Sequence, residues 1–183
     1  MYVQTEQTPN PNTLKFIPGK KVSEIGSMEF TSKNQSENKL VKDILLMKEV
    51  SMVFLGSDFI TVKKTDQIFW NEIKPKIIAL INEYYLKGND SVLDKNYLKK
   101  TLDKEETNDE VVKKIIDILD AKIRPAVARD GGDIKFKSFE NGLVTVELQG
   151  SCSGCPSSIM TLKQGVQNLL CHYIPEVKEV IAI

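Results

Sequence analysis

Cys152 and Cys155 are the residues of this sequence whose type and spacing best fit a chemical role. They form a C-x-x-C pair within Gly150-Ser151-Cys152-Ser153-Gly154-Cys155-Pro156 and account for two of the three cysteines. Residues 143–148 alternate apolar and polar side chains like a β-strand, whereas residues 159–170 repeat like a helix. We therefore expect the pair in a strand-to-helix turn. There the unpaired N–H groups and the dipole of the helix start favour thiolate, the form that binds metal or attacks as a nucleophile.

Three chemistries can use such a pair. Structural zinc needs four ligands, and the spare candidates are Cys171 and His172; Cys171 follows Cys155 by 16 residues, which is about 24 Å along a helix. This distance disfavours zinc within one chain. A redox dithiol of the thioredoxin type fits the local context, but the surrounding order of strands and helices does not match it. An iron–sulfur cluster takes four thiolates, which two protomers would supply if each contributed Cys152 and Cys155 across a twofold axis.

Composition limits the partners and the compartment. The formal net charge is zero and the pI is about 6.6, which argues against nucleic acid or an anionic membrane as a partner. No apolar run approaches the ~20 residues of a membrane span, and the first residues do not resemble a signal peptide. Three cysteines in such a chain indicate metal or redox use rather than a disulfide framework. We expect a protein of the bacterial cytoplasm; the mature form of a mitochondrial matrix protein would have the same features.

The elements that must position the cysteine pair are predicted to form two small α+β domains joined by a polar linker. We assign residues 1–88 to the first domain, 89–107 to the linker, with a short helix near Tyr97, and 108–183 to the second domain. For the first domain we predict a strand over 13–17, a helix capped by Ser36 and ending near 47, a hairpin of 50–55 with 59–62, and a helix over 67–86 that Pro75 kinks or divides.

The second domain is predicted as helix, hairpin, helix and strand. Its first helix would be capped by Thr107 or Asn108, be kinked or ended by Pro125, and stop at the glycines of residues 129–133. A strand over 134–139 then leads to Asn141-Gly142, a strong hairpin signal. The return strand ends at the cysteine pair, and after the following helix a last strand covers 177–183.

Longer motifs around these residues resemble a known family. They are Arg129-Asp130-Gly131-Gly132-Asp133 and Gly150-Ser151-Cys152-Ser153-Gly154-Cys155-Pro156-Ser157-Ser158-Ile159-Met160-Thr161-Leu162-Lys163, which resemble the C-terminal domain of NifU and the Nfu proteins. The first half is similar to the Nfu N-terminal domain, through Thr8-Pro9-Asn10-Pro11-Asn12, Phe54-Leu55-Gly56-Ser57-Asp58-Phe59-Ile60-Thr61-Val62 and Trp70.

The resemblance implies an iron–sulfur cluster scaffold or carrier rather than an enzyme. Such a protein would hold a cluster between two chains through Cys152 and Cys155, as a homodimer, and pass it to apo iron–sulfur proteins with the help of cluster-assembly factors. We expect a 4Fe–4S cluster in preference to 2Fe–2S. The alternative is a thioredoxin-like dithiol–disulfide oxidoreductase.

The other polar residues near the motifs are expected to have structural roles. Cys171 would be a buried small apolar residue, and His172 a helix cap or surface residue. Arg124 and Arg129 could offset the charge of a cluster, but solvated surface ion pairs are the default. Asp130 and Asp133 would bond the N–H groups of their turn.

Overall fold

The computed structural model describes residues 2–98, 109–153 and 156–183, and within them all side chains except Asn96, Leu98 and residues 156–158. The chain divides into two compact units, Met1–Leu102 and Asp103–Ile183. Each unit has its own sheet and its own apolar core, so the α+β class is confirmed.

The first unit is built on a five-stranded antiparallel sheet in the order β1-β2-β5-β4-β3. The strands are β1 (Gln4–Gln7), β2 (Thr13–Ile17), β3 (Met28–Phe30), β4 (Val50–Leu55) and β5 (Ile60–Lys64); the helices are α1 (Lys39–Leu45), α2 (Trp70–Leu86) and α3 (Lys95–Leu98), and a 3-10 turn covers Lys33–Gln35. The predicted strand at 13–17 and the hairpin of β4 with β5 are confirmed.

Helix α2 packs one apolar row into the core of the first unit. Its buried residues, Ile73, Ile77, Ile81 and Tyr85, recur every four positions, which places them on one side of the helix. Pro75 lies inside this helix and does not divide it. The first helix, α1, is capped by Asn38, whose Oδ1 accepts from the N–H of Leu40, so the prediction of Ser36 as the cap is wrong. Ser36 instead accepts the N–H of Asn38 in the preceding turn.

The segment that follows α2 contributes to the first core. Val92 and Leu93 are buried there, and Leu93 forms an isolated bridge with Ser23. Tyr97, in α3, packs against the same core, and its hydroxyl donates to the carbonyl of Gln35. The short helix near Tyr97 is thus observed. The start of the predicted linker, which is assigned to residues 89–107, folds with the first unit; residues 99–107 lie outside the described part of the chain.

The second unit follows the predicted order of helix, hairpin, helix and strand. It comprises α4 (Glu110–Ile118), a π-helical turn (Leu119–Ile123), α5 (Arg124–Arg129), β6 (Gly132–Glu140), β7 (Leu143–Gly150), α6 (Pro156–Tyr173) and β8 (Glu179–Ala182). Strand β7 is central, antiparallel to β6 and parallel to β8. The hairpin turn is the predicted one, with φ of 53° at Asn141 and 87° at Gly142.

The helical segment before β6 shows how the chain accommodates Pro125. A proline lacks the N–H for the helical bond, and its ring collides with the carbonyl four residues earlier. The turn before it widens to π-helical spacing, and α5 then continues with Pro125 as its second residue. The N-cap of α4 is Asp109, whose carboxylate accepts from the N–H of Val111. Thr107 and Asn108, the predicted caps, lie outside the described residues and precede this cap.

Candidate functional site

The turn between β7 and α6 carries Cys152 to the start of a long helix. Strand β7 ends at Gly150, whose φ is 71°, and α6 begins at Pro156 and runs for 18 residues. The turn is closed by Ser153, whose N–H and Oγ both bond the carbonyl of Gly150, at 3.2 and 2.9 Å. The predicted placement of Cys152 between a strand and a helix is therefore confirmed. Cys155 lies outside the described residues, so its predicted role stays a prediction.

Cys152 is a buried residue in this structure. Only 5% of its surface is exposed, and it packs among the core residues of the second unit. Its Sγ lies 3.8 Å from Oγ of Ser151. The fold holds this thiol against its core, and this packing fixes the position of the sulfur.

The glycine turn at residues 130–132 and the cysteine turn are bound to each other. Ser151, which is 2% exposed, donates its Oγ hydrogen to the carbonyl of Asp130, and its N–H bonds the carbonyl of Gly131 at 3.2 Å. The next residue of the first turn, Gly132, pairs with Gly150 at the ends of β6 and β7. The two motifs that resemble the family are thus parts of one site, although about 20 residues separate them in the sequence.

Gly132 provides the space in which the Cys152 thiol lies. A Cβ added at Gly132 would fall 2.6 Å from the carbonyl oxygen of Gln149, 2.9 Å from Sγ of Cys152 and 3.3 Å from its backbone nitrogen. A side chain of any size at this position would collide with both the strand and the thiol. We find Gly132 to be a residue of the site that sequence reasoning treated only as part of a helix stop. Its preceding neighbour, Gly131, does serve the helix stop, with a φ of 81°.

A two-pronged ion pair fixes the start of β6 beside the cysteine turn. Arg124 donates Nε to Oδ1 of Asp133 at 2.8 Å and an Nη to Oδ2 at 2.7 Å, and Oδ1 also accepts the N–H of Ile134. A second Nη of Arg124 reaches Asp120 at 3.0 Å. The hydrogen bond to Asp133 is the main reason why the pKa of Arg124 is raised further above its ordinary value.

This ion pair alters two of the expectations above. Asp133 is 5% exposed, so the pair is half-buried rather than a solvated surface contact. Asp133 does accept a backbone N–H, that of Ile134 in β6, and both of its carboxylate oxygens also bond Arg124. The charge of Arg124 is thereby matched by Asp133 and Asp120, and Arg124 acts to position the turn.

The two other candidate ligands, Cys171 and His172, lie at the far end of α6 from the cysteine turn. Cys171 is 15 residues beyond the first residue of the helix, Pro156, which corresponds to about 22 Å along the axis. It packs against the core but is half-buried, whereas a buried residue was expected. His172 is exposed, and its ring lies 5.0 Å from that of Tyr173. Neither residue can reach the cysteine turn of its own chain.

No cluster of three or more histidine, cysteine or acidic side chains suited to a metal ion occurs among the residues that the structure describes. One chain therefore presents at most a pair of thiols at the turn, if Cys155 lies beside Cys152 as the sequence spacing predicts. Within the same described ranges, no helix combines the length and the apolar character needed to cross a membrane.

The described residues thus define a protein of two small α+β units, with the thiol of Cys152 in a strand-to-helix turn of the second unit. A family model described as "NifU-like domain" matches residues 115–181, and one described as "Scaffold protein Nfu/NifU N terminal" matches residues 3–88. Curated relatives match over nearly the whole chain. The chain therefore belongs to the Nfu/NifU family.

Two relatives show the extent of the similarity. The "NFU1 iron-sulfur cluster scaffold homolog, mitochondrial" of Homo sapiens is 46% identical over 182 residues, which cover 98% of this chain and 71% of that protein. "NifU-like protein 5, mitochondrial" of Arabidopsis thaliana is 45% identical over 184 residues, or 98% of this chain and 67% of that protein. A solution NMR structure of a NifU-like protein from Saccharomyces cerevisiae aligns with 52% of this chain and 86% of its own, at 29% identity and a TM-score of 0.47.

Proposed function

We propose that this chain is an iron–sulfur cluster carrier that holds its cargo through the thiolates of Cys152 and Cys155. The observation that carries the proposal is the clamp between the two turns, which holds the Cys152 thiol at the start of α6. Similarity to relatives that are named as iron–sulfur cluster scaffolds supports the class of cargo. The proposal does not include catalysis, in keeping with those names.

The number of ligands leads us to propose a cluster shared by two chains. A 4Fe–4S cluster, and equally a 2Fe–2S cluster, takes four protein ligands. With Cys155 beside Cys152, as the sequence spacing predicts, one chain would supply two thiols at the turn, and Cys171 is about 22 Å away along α6. Two copies related by a twofold axis supply four thiolates. We propose 4Fe–4S as the cargo, with 2Fe–2S as the alternative.

Transfer would proceed by exchange of thiolate ligands. A thiolate of the acceptor protein forms a bond to one iron while the bond from that iron to Cys152 or Cys155 breaks, and the released thiolate takes a proton from water. The oxidation state of the cluster does not change. Since Cys152 is only 5% exposed in this structure, cluster binding and transfer require the turn to open around Ser153.

The proposed partners are apo iron–sulfur proteins and cluster-assembly factors, in addition to the second copy of the chain. A net charge of zero supports neither nucleic acid nor an anionic membrane as a partner. For the compartment, we propose the mitochondrial matrix over the bacterial cytoplasm, because both relatives described above are named as mitochondrial proteins. Fractionation of the source cells, with detection of the chain by antibody, tests this assignment.

Cysteine variants test the ligand assignment. Cys152→Ala and Cys155→Ala should each abolish stable cluster binding after anaerobic reconstitution, whereas the matched variant Cys171→Ala should retain it. Because Cys152 packs in the core, its variant should also lose on the order of 1 kcal/mol of stability, so folding of the second unit is checked by circular dichroism. Loss of the cluster in folded Cys171→Ala, or retention in Cys152→Ala, would overturn the assignment.

Delivery to an acceptor separates the carrier from its rivals. The loaded protein is mixed with an apo 4Fe–4S enzyme, and recovery of that enzyme's activity is followed in the presence of a chelator that captures released iron. A carrier restores activity under these conditions. A chain that remains colourless and whose cysteine pair cycles between dithiol and disulfide would instead be the thioredoxin-like oxidoreductase. A chain that binds partners but restores no activity would be a docking module.

A further inference from the structure

Strand β1 forms one edge of the sheet in the first unit. Among the strands that the structure describes it pairs only with β2, and it is the terminal strand in the order β1-β2-β5-β4-β3. Three of its four residues are exposed. An edge strand of this kind presents backbone N–H and C=O groups that can pair with another extended chain.

A groove runs along this edge between β1 and helix α2. Its volume is about 400 Å³, and one wall is formed by the five consecutive residues 2–6. The side chains of consecutive residues in an extended chain point to opposite sides, so five consecutive lining residues indicate that backbone atoms contribute to this wall. The opposite wall consists of Lys74, Ile78 and Asn82, which recur every four positions along one side of α2.

Two polar groups in the wall from α2 lack partners. Oδ1 of Asn82 is buried, and the structure gives it no hydrogen-bond partner. Lys74 is half-buried and makes no ion pair with a carboxylate in the described part of the chain. The nearby acid on β1, Glu6, pairs with Lys15 at 3.0 Å instead. A buried amide oxygen without a donor is unfavourable, and a ligand that supplies a donor would remove this cost.

We propose that this groove binds an extended acidic segment of a partner protein, which adds a strand to β1. Backbone hydrogen bonds to the edge would align the segment, as in other cases of strand addition. A carboxylate of the segment would pair with Lys74, a hydroxyl or amide donor would reach Oδ1 of Asn82, and an apolar side chain would pack on Ile78. This surface lies in the first unit and does not depend on the proposed cluster chemistry.

The test begins with peptides selected on the intact chain. A displayed library of random octapeptides is selected against the full-length protein, and the best sequence is synthesised with a fluorescent label for anisotropy. The proposal expects selected peptides that alternate apolar and polar residues and carry at least one acidic residue. Recovery of no binding peptide, or of peptides without acidic enrichment, would overturn the proposal.

Matched charge reversals then locate the binding site. Lys74→Glu should weaken binding of the synthetic peptide at least tenfold, whereas Lys76→Glu, an exposed position on α2 outside the groove, should change it less than twofold. Asn82→Leu should weaken binding while leaving the protein folded, since it removes the unpartnered oxygen. The peptide should also slow amide hydrogen exchange in β1. Equal effects of the two lysine variants, or unchanged exchange in β1, would contradict strand addition.

Discussion

Replacement of Gly132 by alanine tests the claim that the glycine turn makes room for the thiol. The new Cβ would lie 2.6 Å from the backbone oxygen of Gln149 and 2.9 Å from Sγ of Cys152. The first of these contacts is with strand β7, which cannot move without disturbing its pairing with β6. Overpacking of this kind typically costs about 1–3 kcal/mol, and we expect Gly132→Ala near the upper end of that range.

Gly165→Ala is the matched control for this change. It adds the same methyl group in the middle of α6, where nothing lies within 4 Å of the added Cβ. Alanine favours a helix over glycine by about 1 kcal/mol, so this variant should be stabilised. The two substitutions lie in the same unit, and they should change its free energy of unfolding in opposite directions.

The assay must read the two units separately. Trp70, the only tryptophan, lies in the first unit, so its fluorescence during urea unfolding reports that unit. Amide hydrogen exchange in β7 reports the second unit. Gly132→Ala should lower the opening free energy of β7, leave the Trp70 transition unchanged and impair retention of a reconstituted cluster. A Gly132→Ala protein as stable as the wild type, with a normal β7, would refute the packing argument.

Three further substitutions probe the surroundings of the turn. Ser151→Ala removes the hydrogen bond to the carbonyl of Asp130 and should lower the opening free energy of the β7 amides by about 1–2 kcal/mol. An unchanged opening free energy would mean that this side chain does not hold the two turns together. Asp133→Asn weakens the pair with Arg124, which is partly screened by solvent, and should cost about 1–3 kcal/mol in the opening free energy of the β7 amides. This loss should be smaller at high salt, and a loss that salt does not change would contradict a role for the charge. Burial lowers the pKa of Lys135 in the folded chain below its ordinary value of 10.5. Between the folded pKa and 10.5 the unfolded chain binds more protons than the folded chain, so the free energy of unfolding rises with pH. The stability of the wild type relative to Lys135→Gln should therefore increase as the pH approaches 10.5, and a decrease would contradict this reasoning.

Local signals predicted most of the elements that build the site. Asn141-Gly142 requires positive φ at two positions and therefore specifies its hairpin from sequence. The apolar spacing of α6 and the alternation of β7 likewise set the strand-to-helix turn around Cys152. Helix caps were harder to place because several polar residues stand in a row, and only the folded backbone decides which of them bonds the first turn, as with Asn38 and Asp109.

Contacts distant in sequence could not be predicted in this way. Leu93 packs in the first core and bridges Ser23, some 70 residues earlier, and nothing in the polar sequence around Leu93 indicates this. The role of Gly132 depends on the register of β6 with β7, which brings it against Cys152. The half-buried pair of Arg124 and Asp133 also depends on that turn. The available signal was a second glycine, Gly132, directly after the helix-stopping Gly131, because a residue without a side chain allows another part of the chain to approach closely.

The central claim is that two chains share one cluster through four cysteine thiolates. Anaerobic reconstitution with iron and sulfide, followed by native mass spectrometry, tests it most directly because mass counts chains and iron together. We predict a species of two chains with about four irons and four sulfides, formed by the wild type and Cys171→Ala but not by Cys152→Ala. A complete cluster on a single chain, or a protein that stays colourless and monomeric, would contradict the account.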